Sequence, residues 1–458
     1  MYLLCEYVGE INMNILFISL GCDKNLVDTE VMLGILAKKG HTMVDDETIA
    51  DVIIVNTCSF IHDAKEESIQ NILEMARMKD EGRLKALIVT GCLAQRYKEE
   101  ILTEIPEVDA VIGTTAYDEI ANVIDGILGD DAEAYEESRM TMKDIDHLPV
   151  VEEKRLLTTG GHFAYLKIAE GCDKHCTYCI IPKIRGNFRS VPMERILEEA
   201  KQLVNGGVKE LILVAQETTL YGKDIYGEKR LPQLLKELCK IPGLYWIRVL
   251  YCYPEEITDE LIQVMKEEPK VCKYLDLPIQ HASDEILKRM GRRTSKAQLV
   301  EIISKLRTEI PNITLRTTLI TGFPGETEEH HEELMEFVDE MEFDRLGVFT
   351  YSAEEDTAAA RMKDQVPEEI KEDRQAELME LQQDIVFAAE EDMIGRELLV
   401  MIEGKVADEN VFVGRTYRDA PNVDGLIFVH SDEELISGDF AMVKVTGAME
   451  YDLIGELI

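Results

Sequence analysis

The sequence predicts an α/β protein in three parts: an amino-terminal domain built on a parallel sheet, a partial (β/α)6 barrel, and a small all-β barrel at the carboxyl end. Three observations carry that prediction. Short, β-branched apolar runs alternate with helical stretches in two series, one between residues 14 and 129 and another from residue 163 onward. Between the series lies an acidic, poorly patterned stretch, residues 129–162. After one long helical pattern, residues 367–393, the chain breaks into five short strand-like runs. A length of 458 residues leaves room for about three such domains.

In the first series, residues 14–20 end in Gly21-Cys22, residues 50–57 end in Cys58, and residues 85–90 end in Gly91-Cys92. Short runs of this composition suit strands buried on both faces. Helical patterns at 27–39 and 64–78 follow the first two, which implies parallel pairing through right-handed crossovers. Ligands of such sheets sit beyond the carboxyl ends of the strands. Cys22, Cys58 and Cys92 hold the same place in three units, so they should converge on one edge with no fourth thiolate. The competing reading makes each a small buried residue at a strand end. Residues 13–129 are assigned to this domain. Residues 130–157, with Asp130, Asp131, Glu133, Glu136 and Glu137, are assigned to an acidic linker. Residues 1–12 carry Glu6 and Glu10 and no basic region, so they do not resemble a signal peptide. Met13 would serve equally well as a start, which makes those residues an extension. No apolar run reaches the roughly 18 residues of a membrane span.

The second series has six strand candidates, at 163–168, 210–215, 246–250, 274–278, 313–320 and 346–350, within a barrel domain assigned to 158–388. The first feeds into Cys172-Asp173-Lys174-His175-Cys176-Thr177-Tyr178-Cys179. The C-x3-C-x2-C spacing gathers three thiolates in one loop, again without a fourth. Structural zinc sites and most iron–sulfur clusters take four ligands. A 4Fe–4S cluster held by three cysteines keeps one iron open for a substrate or cosubstrate. A zinc loop or three incidental thiols is the competing reading. The strand leading into the loop argues for the cluster.

Gln216-Glu217-Thr218 follow the second strand, Gln280-His281 the fourth, and residues 321–327 the fifth. Barrels keep their chemistry at those ends. Gly322 and Gly325, flanking Pro324, would let the backbone approach a flat ligand, although a plain loop accounts for them equally well. His330-His331 lie in a glutamate-rich helical stretch and read as a solvated face. Cys5, Cys239, Cys252 and Cys272 fit no spacing and read as ordinary thiols.

The helical pattern at 367–393 would span about 40 Å. The strands expected after it, at 397–403, 411–417, 425–429, 440–445 and 451–457, suit a small OB-like barrel, assigned to 389–458. From Glu390 onward there are sixteen acids and five bases, a balance of −11. An RNA-binding face should be basic with exposed aromatics. The whole chain carries −41, which opposes binding to a phosphate backbone and favours a basic partner. Ten cysteines in a chain of this length are too sparse for a disulfide scaffold, and a reducing cytoplasm would keep them available.

The cysteine loop, with Tyr178 just before its last cysteine, resembles the radical S-adenosylmethionine superfamily. The resemblance implies that the open iron is chelated by the amino and carboxylate groups of S-adenosylmethionine. One electron would then release a 5′-deoxyadenosyl radical that takes hydrogen from an unactivated carbon. It further implies cosubstrate contacts at Tyr178, at Gln216, Glu217 and Thr218, at Gln280, and at Gly322, Pro324 and Gly325.

Ser19-Leu20-Gly21-Cys22-Asp23-Lys24-Asn25 and Asn56-Thr57-Cys58 resemble the methylthiotransferases, a subgroup of that superfamily. There the likeness implies a second, auxiliary 4Fe–4S cluster on Cys22, Cys58 and Cys92 whose free iron carries the sulfur. The last domain resembles a TRAM domain. Gly186-Asn187-Phe188-Arg189-Ser190 and Pro278-Ile279-Gln280-His281 are similar to the branch that methylthiolates the β-carbon of an aspartate in protein twelve of the small ribosomal subunit. That branch implies a basic ribosomal protein as partner, a reductase or flavodoxin-type electron donor, a cytoplasmic location, no nucleic acid or membrane partner, and two clusters facing one cavity. Two other readings stay open. One is a transferase for N6-isopentenyladenosine of transfer RNA; the other is a non-catalytic two-cluster electron carrier, although such carriers close their clusters with four cysteines.

Overall fold

The computed structural model describes residues 12–151 and 154–458, so Cys5 and nearly all of the expected extension lie outside the described residues. Backbone contacts divide the chain into two compact units. One runs to Thr158 and adds Ile180–Asn187; the other comprises Thr159–Cys179 and Phe188–Ile458.

The first unit is a six-stranded parallel sheet of β1 (Asn14–Ser19), β2 (Thr42–Met43), β3 (Val52–Thr57), β4 (Ala86–Gly91), β5 (Ala110–Ile112) and β6 (Met140–Thr141) in the order β2-β1-β3-β4-β5-β6. Helices α1 (Asp23–Lys38), α2 (His62–Asp80), α3 (Cys92–Glu104), α4 (Ile120–Leu128) and α5 (Ala132–Ser138) complete it. Every residue of β3 and β4 is buried, as their unbroken apolar runs require. Successive side chains of β3 feed opposite cores. Ile54 joins Ile15, Leu36, Ile88 and Ile124, whereas Ile53 and Val55 join Ile72, Leu87 and Leu93. Each such side chain contributes about 1.5–3 kcal/mol by leaving water.

The stretch expected to be a linker carries structure of its own. Asp131 caps α5 by accepting the Glu133 N–H at 3.0 Å, and β6 adds an edge strand to β5. Asp146 accepts both the backbone and the carboxamide N–H of Asn187 at 2.8 Å. Short polar segments of this kind lack the periodicity by which strands are recognised; pairing partners supplied by the sheet order them.

The second unit contains a six-stranded parallel sheet, with β7 (Phe163–Lys167), β10 (Glu210–Val214), β11 (Trp246–Val249), β12 (Val271–Asp276), β13 (Thr314–Thr321) and β14 (Arg345–Thr350) in the order β14-β13-β12-β11-β10-β7. Two short strands, β8 (Ala169–Glu170) and β9 (Arg189–Ser190), pair beside it. All six expected strands are present, and the open sheet is the partial barrel. A closed five-stranded barrel follows: β15 (Glu397–Lys405), β16 (Val411–Arg415), β17 (Ile427–His430), β18 (Phe440–Met449) and β19 (Asp452–Leu457), filled by Val400, Ile402, Phe412, Val429 and Val443. Among the described residues, no helix is long and apolar enough to cross a membrane.

The long helix, Glu368–Glu391, buries Lys371, Arg374, Leu378, Gln382, Val386 and Glu390, one stripe at helical spacing. Four of these are polar, and each has a partner, while Arg374 Nε and Gln382 Oε1 make no hydrogen bond. Lys371 Nζ donates to the Tyr351 carbonyl at 2.8 Å, Arg374 to Glu326 at 3.0 Å, and Gln382 to the Phe343 carbonyl at 2.7 Å. Glu390 accepts from Arg345 of β14 at 2.8 Å and from Arg418 of the barrel at 2.9 Å. His331, expected on a solvated face, is buried and bonds Glu377 of this helix at 2.7 Å. That correction follows from the helix packing over it, a contact no local pattern records.

Buried ion pairs hold the barrel against the amino-terminal portions of the sheet strands. Glu210, at the start of β10, accepts from Arg248 at 2.9 Å and from barrel Arg415 at 2.7 Å, and none of the three is exposed. Arg345 pairs with Asp419, and Tyr274 donates to Asp424 at 2.7 Å. Burial alone would raise the Glu210 and Asp419 carboxyls, yet the guanidiniums beside them hold both below their ordinary range. A depressed carboxyl pKa gives stability that is fully present above the unfolded value, near 4, and lost as pH falls through the folded value. Acid should therefore loosen the barrel first. Glu210→Gln leaves two buried guanidiniums short of a charge and should cost about 3–5 kcal/mol. The measurement is thermal melting with limited proteolysis of the barrel, and an unchanged profile at neutral pH would refute the role given to this network.

Candidate functional site

In the first unit the three dispersed cysteines lie at the carboxyl ends of adjacent strands. Cys22 is the N-cap of α1, Cys58 follows β3, and Cys92 is the first residue of α3. Helix amino-termini favour negative charge, so two of the three positions suit a thiolate. Two glycines make the approach possible. Gly21 has φ +86, and a Cβ there would lie 2.7 Å from the Cys58 Cβ; Gly91 has φ +90, and a Cβ there would strike the Asn56 and Thr57 oxygens. Ser68 of α2 clamps the Cys58 backbone, accepting its N–H and donating to its carbonyl, both at 3.0 Å.

Asn25, on the first turn of α1, joins the strand tips. Its Nδ2 donates to the carbonyls of Leu20 at 3.0 Å and Thr57 at 2.9 Å, while its Oδ1 accepts from the Cys92 thiol at 3.7 Å and from Arg185. Burial, then the neighbouring Cys92 and Cys22, push the Cys58 thiol up to about 12. The bare thiol is therefore protonated at neutral pH, and a bound metal's charge would be what releases the proton. Among the described residues no group of three His, Cys, Asp or Glu side chains is arranged to hold a single metal ion. In a cluster each thiolate binds its own iron, so what is required is three thiols near one another rather than around one ion, and Cys22 and Cys92 both lie near enough to Cys58 to raise its thiol.

In the second unit the Cys172–Cys179 loop leaves the edge strand β7 through β8. Thr177 pins it: its N–H donates to the Met290 carbonyl at 2.9 Å, its hydroxyl to the Arg289 carbonyl at 2.8 Å, and its carbonyl accepts from Ala359 at 2.8 Å. Cys172 and Cys176 are buried, Cys179 is half-buried, and burial raises the Cys172 thiol to about 11. The Tyr178 ring meets Phe323 edge-on at 6.4 Å. Gln216 accepts the Gly171 N–H at 2.8 Å and donates to Glu170 at 2.7 Å, so its carboxamide braces the residues just before Cys172. Glu217 is fully buried. Its Oε1 takes the Thr219 N–H at 3.1 Å, and its Oε2 lies 3.7 Å from Lys174 Nζ without a hydrogen bond. Burial lifts this carboxyl to about 7.

Other candidates prove to be committed to the protein. The Thr218 hydroxyl donates to the Leu250 carbonyl at 2.7 Å. Gln280 has φ +73, and its backbone bridges to β13 through Thr318 and Ile320. His281 Nδ1 accepts the Ser283 N–H at 2.9 Å, which leaves Nε2 protonated towards Glu326 at 3.6 Å. A Cβ on Gly322 would meet Lys371, and one on Gly325 would meet Arg289 and Asp364. Protein side chains crowd both glycines. Sequence reading missed Tyr253, whose hydroxyl lies 3.8 Å from Cys176 Sγ beneath Lys174 and Arg292, and it missed Arg185. Neither residue sits in a spacing pattern. Cys239, Cys252 and Cys272 form no disulfide, and Cys252 Sγ lies 3.4 Å from the Thr218 hydroxyl. An open cleft of about 530 Å³ between α2 and α3, lined by Ile69, Leu73, Tyr97 and Ile101, contains none of the cysteines.

A three-cysteine loop at the carboxyl edge of a six-stranded parallel sheet defines the class: residues 166–338 match the Radical SAM superfamily. Residues 14–113 match the uncharacterized protein family UPF0004, and residues 394–458 the TRAM domain. The fold is similar to that of the radical S-adenosylmethionine methyltransferase TsrM from Kitasatospora setae, with TM-score 0.52 and 13% identity over 74% of this chain and 75% of that one. Full-length relatives narrow the class. The chain is 66% identical to the ribosomal protein uS12 methylthiotransferase RimO of Lachnoclostridium phytofermentans, over 97% of this chain and 99% of the relative. It is 50% identical to the RimO of Thermoanaerobacter sp., with the same coverage. The chain belongs to the RimO family of radical S-adenosylmethionine methylthiotransferases.

The strand-end glycines give a direct test of the thiol arrangement. Gly91→Ala forces a left-handed alanine against two oxygens and should cost at least about 2 kcal/mol. Thermal melting with a thiol-accessibility assay on Cys92 checks it; a neutral substitution would contradict the close approach.

Proposed function

We propose that this enzyme methylthiolates the β-carbon of an aspartate in small-subunit ribosomal protein uS12. Cys172, Cys176 and Cys179 would hold one 4Fe–4S cluster, and Cys22, Cys58 and Cys92 a second. The observation that carries the reading is the presence of two separate sets of three thiols, each at the carboxyl edge of a parallel sheet, in a chain 66% identical to a uS12 methylthiotransferase. When bound, the first cluster with S-adenosylmethionine would supply the hydrogen-abstracting 5′-deoxyadenosyl radical, and the second the methylthio group.

The chain's own residues bind, brace and shield. Gln216 fixes the peptide before Cys172, and Thr177 anchors the loop between Cys176 and Cys179. Glu217, buried with one oxygen that makes no hydrogen bond, is a candidate for the amino group of S-adenosylmethionine, and Tyr178 packs edge-on against Phe323. Gln280, which follows β12, and Gly322, Pro324 and Gly325, which follow β13, would line that pocket. Ser68 and Asn25 set the second thiol group.

The acidity of the chain supports a basic protein substrate over transfer RNA. In the closing barrel Arg415 and Arg418 are turned inward to carboxylates, so of its five bases only Arg396, Lys405 and Lys444 stand exposed among the surface acids. A reductase or flavodoxin-type donor and a cytoplasmic setting complete the proposal.

Cys176→Ala should lose about half the bound iron and form no 5′-deoxyadenosine, whereas Cys58→Ala should retain radical cleavage but transfer no sulfur. Iron analysis and product chromatography check both, and equal iron in wild type and Cys58→Ala would refute the second site. Mass analysis of uS12 and transfer RNA from cells lacking this gene should show loss of the modification on uS12 alone; its loss from transfer RNA with uS12 intact would overturn the substrate.

A further inference from the structure

Residues Ile180–Asn187 leave the first cysteine loop and group with the amino-terminal unit. They form a single short turn, α6 (Ile181–Ile184), whose last carbonyl accepts from Thr114 at 2.9 Å. Ile180 and Ile184 pack on Cys92 in a small apolar cluster. Arg185 follows, only 2% exposed. Its guanidinium is shared three ways: Nη1 donates to Asp28 at 2.8 Å, Nη2 to the Asn25 Oδ1, and Nε to Cys92 Sγ at 3.4 Å.

This arrangement is hard to justify by packing. A guanidinium keeps its charge in proteins, and burying it costs several kcal/mol unless paired. Asp28 offsets that cost, and Asn25 takes a second donor. The third donor meets a sulfur, a weak acceptor as a thiol and a strong one as a thiolate. Three thiolates on a 4Fe–4S core make a net anion, which a buried cation beside one of them would stabilise, the more so once the cluster is reduced.

We propose that Arg185 is a positioning residue that sets the one-electron potential of the auxiliary cluster by donating from Nε to the Cys92 thiolate, with Asp28 moderating the cation's charge. The proposal rests on the cluster assignment to Cys22, Cys58 and Cys92. Removing the cation should lower the midpoint, because the extra electron is less well compensated. Removing the carboxylate of Asp28 should raise it. A purely structural arginine predicts neither shift, whatever it does to folding.

The test uses the full chain with Cys172, Cys176 and Cys179 changed to alanine, so that iron binds at one place only. The cluster is reconstituted and titrated with dithionite and redox mediators, read by electron paramagnetic resonance of the reduced [4Fe–4S]1+ state. Arg185→Met should lower the ratio of reduced to oxidised cluster at fixed potential about tenfold, equivalent to about 59 mV for one electron. Asp28→Asn should shift the ratio the other way, and Arg185→Lys should fall between parent and methionine. Identical midpoints in parent and variants would overturn the proposal. If Arg185→Met fails to retain iron, Asp28→Asn and Arg185→Lys decide it: unmoved midpoints there refute it equally. A parent that takes up no iron would instead overturn the cluster assignment itself, and this inference with it.

Discussion

In a parallel sheet every strand runs the same way, so every following loop is delivered to one edge. Both sets of thiols depend on that constraint. In the first unit it brings together residues as distant in sequence as Cys22 and Cys92, with Gly21 and Gly91 providing the sharp exits that allow it. In the second it gathers the loop of Cys172 with Gln216, Tyr253 and Gln280 along the ends of four strands. The chemistry proposed for the chain needs sulfur ligands presented in threes. The sheets supply the convergence and leave the loops free to supply the ligands.

Charge is organised as deliberately as hydrophobicity. The chain carries a large excess of acids, yet its cations are not spread evenly over the surface. Arg248, Arg345, Arg415 and Arg418 lie inside the second unit and tie the closing barrel to the sheet through Glu210, Glu390 and Asp419. Arg185 lies inside the first, against Cys92 and Asp28. Turning cations inward supplies partners for buried carboxylates and sulfur, and it leaves an exterior suited to a basic protein. The buried pairs are weak evidence for stability as such, since desolvation offsets much of their attraction. They join the barrel to the sheet at several points, through Glu210, Glu390 and Asp419.

Much of this was legible in the residues themselves. The six strands of the second sheet and the five of the barrel have enough apolar periodicity to be recognised singly, and the helix Glu368–Glu391 follows its proline as expected. The C-x3-C-x2-C loop is local, so spacing alone reveals it. The weaker signals failed for a common reason. Strands β2, β5 and β6 have two or three residues each, too few for a period to show, and an acidic stretch supplies one of them. His331 looked solvated because its own helix is rich in glutamate; the helix that covers it lies some forty residues later.

The sequence by itself determined the fold class, the two groups of three cysteines and the acidic balance, because periodicity, spacing and charge are properties of neighbours along the chain. Tertiary structure alone decided what surrounds those groups. It set Arg185 on Cys92, Tyr253 beside Cys176, Ser68 on the Cys58 backbone, and Lys371 in the space beside Gly322. Each of these joins residues ten or more apart in sequence, and hydrogen bonds and close contacts reach only a few ångströms, so nothing in the local pattern could announce them.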